Sequence, residues 1–110
     1  MPTETSSLKN KDRDFYRKRG YVVVPGLFSP SECKEVLTAA DRLYAEGAIE
    51  GCFASVPESE AGDDVLKTWP RMMHPHRLDY TFLHYLKHPS VVAILEDLLD
   101  HEAWGIQSMY

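Results

Sequence analysis

Cysteine is scarce in this chain. Cys33 and Cys52 are the only two, too far apart for a Cys-x-x-Cys site and too few for a disulfide framework. Cys33 is expected to act as a small buried apolar residue. Long apolar runs are missing as well. No stretch approaches the roughly 18–20 residues that span a bilayer, and the polar N-terminus, Met1 to Ser7, lacks the apolar core of a signal peptide. Nor is there an excess of positive charge. The formal net charge is −5, which argues against nucleic acid or a membrane surface as a partner. The early basic residues (Lys9, Lys11, Arg13, Arg17, Lys18, Arg19) are interrupted by acidic and aromatic ones and read as a solvated helix face. The glycines are isolated, so no phosphate-cradling loop is present, and no serine sits in a Gly-x-Ser-x-Gly elbow. A cytoplasmic, reducing location is the expectation that these absences leave.

What is present is the content of one small domain: 110 residues, 44% hydrophobic and 26% charged. Residues 1–7 carry almost no apolar surface and are expected to be disordered. A first helix is predicted over 8–19, with Phe15 and Tyr16 as its core contacts and Gly20 as a left-handed cap. Tyr21-Val22-Val23-Val24 is a β-branched run without alternation, which suits a strand buried on both faces and stopped by Pro25. Ser29, Pro30 and Glu32 form a capping box that opens a helix over 30–46. Its apolar face is predicted from Cys33, Val36, Leu37, Ala40, Leu43 and Tyr44. Glycine, proline and acidic residues then describe a long loop at 48–69. Residues 71–76 should be extended, since Pro70 and Pro75 disfavour helix before them. Asp79 caps a short helix, Pro89 opens a largely buried one through about Asp100, and 103–110 reads as a strand. A lone strand leaves its hydrogen-bonding edges unmet, so the rest of a sheet is expected downstream or in another chain.

The five histidines raise the question of a metal. A facial triad needs two His and one carboxylate, and its local signature is His-x-Asp or His-x-Glu. None of His74, His76, His84, His88 and His101 is followed two residues on by a carboxylate. His74 and His76 with Asp79 make a weaker metal candidate, and His84 with His88 lacks a His-Glu-x-x-His surround. Arg71, after Trp69-Pro70 and beside Met72 and Met73, is a candidate for a bidentate carboxylate clamp.

Three blocks together resemble the N-terminal region of the phytanoyl-CoA dioxygenase family. The first runs from Phe15 through Gly20-Tyr21-Val22-Val23-Val24-Pro25-Gly26 to Phe28, and the second is the helix opened by Ser29 and Glu32. The third is His88-Pro89-Ser90-Val91-Val92 through Leu99, followed by Ile106-Gln107-Ser108-Met109-Tyr110. The resemblance covers most of residues 13–110 apart from the 48–69 loop. It implies an α+β fold: the N-terminal helical and first-strand part of a double-stranded β-helix (a jelly-roll, cupin-like fold), truncated before its iron ligands. It also implies Fe(II) and 2-oxoglutarate as cofactors of the full-length protein, and hydroxylation of a small organic or acyl-CoA substrate with conversion of 2-oxoglutarate to succinate and CO₂. By the same resemblance Met109, Arg71 and Met72 match 2-oxoglutarate contacts and Gln107 matches a substrate contact. The chain alone, without the missing C-terminal jelly-roll portion, is then expected to be inactive. The alternative is a non-catalytic interaction module derived from that family.

Overall fold

A computed structural model describes residues 5–54 and 56–110. Among the described residues six helices follow one another: α1 (Asn10–Arg19), α2 (Pro30–Ala45), α3 (Glu58–Ala61), α4 (Val65–Thr68), α5 (Tyr80–Leu86) and α6 (Pro89–Leu99), with a 3-10 turn at Pro75–Arg77 between α4 and α5. No helix among the described residues is long and apolar enough to cross a membrane. The predicted 48–69 loop therefore contains two one-turn helices. Residues 1–4 of the segment expected to be disordered lie outside the described residues.

The helix ends follow local chemistry. At α2 the Ser29 hydroxyl accepts from the Glu32 amide at 3.1 Å while the Glu32 carboxylate accepts from the Ser29 amide at 3.0 Å, so two orphan donors are satisfied reciprocally. Asp79 caps α5 by accepting from Thr81 N–H at 2.8 Å. Gly20 ends α1 at φ 81°, the left-handed conformation that favours glycine.

The α+β, jelly-roll expectation is corrected by the structure. Among the described residues there is no strand, sheet or barrel; the only β-type pairings are two isolated bridges, Ile49 with Phe53 and Met73 with Met109. This is a small helical protein. The physical reason lies in partners. The Tyr21–Val24 run has β propensity but nothing to pair with, and Tyr21 and Val23 stay 58% and 69% exposed. The 103–110 segment pairs only at its end, opposite 72–74, because Pro75 lacks a donor and His74 turns left-handed (φ 53°) into the 3-10 turn.

The core gathers Ala39, Ala40 and Leu43 of α2, Cys52 and Phe53 from the following turn, Met72, and Phe82 of α5, with Val36, Tyr44 and Ile49 packed against it. Arg42 of α2 pairs with Asp79 at the start of α5. By contrast α1 buries no residue, and Phe15, expected in the core, is exposed. α1 is tied to α6 by a bidentate ion pair, Arg13 Nε and Nη2 to the two carboxylate oxygens of Asp97 at 2.8 Å each. That pairing, helped by Ser6, holds the Asp97 carboxyl down to about 2. Cys33 is exposed rather than buried, since the first turn of α2 projects beyond the core that begins at Val36. α6 buries only Ala93 and Ile94 fully, leaving Leu95 and Leu99 about two-fifths exposed. With a radius of gyration of 16.9 Å and extents of 51 × 31 × 25 Å, the chain is more extended than the roughly 13 Å of a compact domain this long.

Candidate functional site

Three distant segments meet beside α2 and place Arg71. Tyr44, near the C-terminal end of α2, donates its hydroxyl to the Pro70 carbonyl. Two residues further on, Met72 and Tyr110 exchange backbone hydrogen bonds at 2.9 and 3.0 Å, the narrow pair of an antiparallel ladder. Met73 N–H donates to the Cys52 carbonyl and His74 N–H to the Ser108 carbonyl, both at 2.9 Å. The Arg71 backbone is thus pinned on both sides, while its side chain is exposed and takes no hydrogen bond or ion pair among the described residues.

Around it the same contacts assemble an aromatic wall. The Tyr44 ring packs edge-on against Trp69 with centroids 5.2 Å apart and lies 6.5 Å from Tyr110, spacings within the favourable aromatic range. Burial, with the neighbouring Tyr110 and Cys52, raises the Tyr44 phenol above its usual range, so its hydroxyl stays protonated and keeps donating to Pro70. Leu37 and Asp41 of α2 and Leu66 of α4 also line the cleft. The open cleft measures about 480 Å³, within the size of small-molecule sites.

The predicted residues divide between two sides of this pairing. Met72 has no exposed surface and belongs to the core. Met109 lies opposite Met73 and is half exposed. Gln107, two residues earlier, is exposed. Arg71, Met72 and Met109 therefore stand on adjacent segments, and Arg71 alone opens into the cleft. Asp41, Tyr44, Trp69 and Tyr110 were not singled out as site residues from the sequence. The available signal was the i, i+4, i+7 spacing of Leu37, Asp41 and Tyr44, a stripe beside the core face of α2.

The metal candidate does not assemble. Among the described residues no three His, Cys, Asp or Glu side chains form a group able to hold a metal ion. Asp79 is committed to Arg42 and Thr81, and His76 Nδ1 pairs with the Ser108 hydroxyl. His88 caps α6 through Nδ1, which accepts from Ser90 N–H at 3.2 Å, and its Nε2 lies 3.3 Å from Glu32. The donor set of these residues does not fit a facial-triad iron. Cys52 is buried, and that burial raises its thiol above the usual range, which leaves it a poor nucleophile.

No family model matches the chain, and no curated protein or solved structure does either.

Proposed function

We propose that this chain is the N-terminal portion of a non-haem Fe(II)- and 2-oxoglutarate-dependent oxygenase of the phytanoyl-CoA dioxygenase type, and that it does not turn over substrate by itself. The observation that carries the reading is the order and spacing of the three sequence blocks, from Phe15–Phe28 through the Ser29-capped helix to His88–Tyr110. The apolar side chains left exposed at Tyr21, Val23, Trp104 and Ile106 support it. Iron would be held by residues outside these 110, because those described here make no metal group. In this reading Arg71 contributes a carboxylate contact and Gln107 a substrate contact.

The nucleotide sequence after codon 110 tests the proposal. An in-frame His-x-Asp within a few dozen codons is the expected result. A stop codon in independent transcripts, with no such motif beyond it, would overturn it. The absence of a metal group among the described residues also favours a second reading, a non-catalytic interaction module. That reading expects the purified 110-residue chain to be monomeric and to unfold cooperatively; an aggregating or molten product would exclude it.

A further inference from the structure

Two opposite charges share the cleft without meeting. Arg71 and Asp41 both line it, yet they lie beyond ion-pair distance of each other, and neither pairs with another described side chain. The Tyr44 and Trp69 rings, 5.2 Å apart, line the same cleft, and Tyr44 is held by its hydrogen bond to the Pro70 carbonyl.

We propose that this cleft binds an apolar α-amino acid in its zwitterionic form. Arg71 offers a planar fork that takes a carboxylate bidentately. Asp41 offers the opposite charge for an ammonium group, and the aromatic faces beside it favour a cation further. Leu37 and Leu66, 52% and 79% exposed, supply apolar surface for the ligand side chain. Both charges line one cleft, so a ligand carrying a carboxylate and an ammonium group together answers each of them. The site does not rest on the oxygenase reading, although Arg71 is common to both.

The test compares L-phenylalanine with its two halves, 3-phenylpropionate and 2-phenylethylamine, and with 2-oxoglutarate, on the 110-residue chain. The readout is the indole N–H resonance of Trp69, separated from that of Trp104 by a Trp104→Phe variant. L-Phenylalanine is expected to bind roughly tenfold or more tighter than either half. Arg71→Gln should cost roughly tenfold for L-phenylalanine and 3-phenylpropionate but spare 2-phenylethylamine, and Asp41→Asn should do the reverse for the two halves. Both side chains are exposed, and circular dichroism verifies that the variants remain folded. The proposal is overturned if no probe moves the Trp69 resonance, or if L-phenylalanine binds no tighter than 3-phenylpropionate. It is overturned as well if 2-oxoglutarate binds tighter than L-phenylalanine and gains from Asp41→Asn, a result that would leave the cosubstrate reading of Arg71 standing.

Discussion

The α2–α5 region and the α1 arm are held by different forces. α2 and α5 close over Met72 and Phe82, and seven buried residues form one continuous cluster. α1 and the Tyr21–Val24 run that follows bury nothing completely, and the Arg13–Asp97 ion pair is their clearest tether to α6. The difference shows that apolar sequence produces burial only where another element presents a matching face. Tyr21–Val24 is more β-branched than any segment of the core, and it remains largely in solvent.

Deleting side-chain volume separates the two regions most sharply. Met72→Ala empties a position with no exposed surface and should cost roughly 2–5 kcal/mol in urea unfolding; a loss below about 1 kcal/mol would mean that the cluster is not the stabilising core. Removing the α2 cap is a middling change: Ser29→Ala loses an acceptor for the Glu32 amide and is expected to cost about 1 kcal/mol, measured in the same experiment.

Acid should cost the arm more than the core. Arg13 holds the Asp97 carboxyl down to about 2, below its ordinary 3.8. A carboxylate whose pKa folding depresses stabilises the fold above that ordinary value, and the contribution fades as pH falls toward the folded one. Hydrogen-exchange protection of α1 amides should therefore drop between those two values while α2 amides keep theirs. Equal loss in both helices would erase the distinction between arm and core. The smallest effect is reserved for Val23→Thr, at a 69% exposed position, which should change unfolding stability by no more than about 0.5 kcal/mol. A larger destabilisation would show that the run is paired in solution.

Legibility in the sequence followed the range of the interaction. The Ser29 box, the Asp79 cap and the Gly20 terminus each depend on residues within four positions of one another, so they could be read directly. The expected strands failed for the opposite reason. A strand exists only through a neighbour, and propensity at Val22–Val24 or Ile106–Tyr110 says nothing of whether one is there. Cys33 and Leu37 were assigned to the apolar face of α2 by periodicity; both are exposed, because the face is covered only from Val36 inward and on the side that meets Met72 and Phe82.

The cleft was the least legible feature. Arg71 was recognisable as an isolated arginine after Trp69-Pro70, but its surroundings require Tyr44 to reach Pro70 across 26 positions of chain and Tyr110 to pair with Met72. By itself the sequence determined where α2, α5 and α6 begin, which residues carry charge, and that no iron triad signature is present. Tertiary structure alone decided which apolar face was buried, and it alone brought Asp41, Tyr44, Trp69 and Tyr110 around Arg71. Caps and turns are settled by hydrogen bonds within one turn of chain. Burial and binding sites depend on contacts between segments distant in sequence, and those exist only once the chain has closed upon itself.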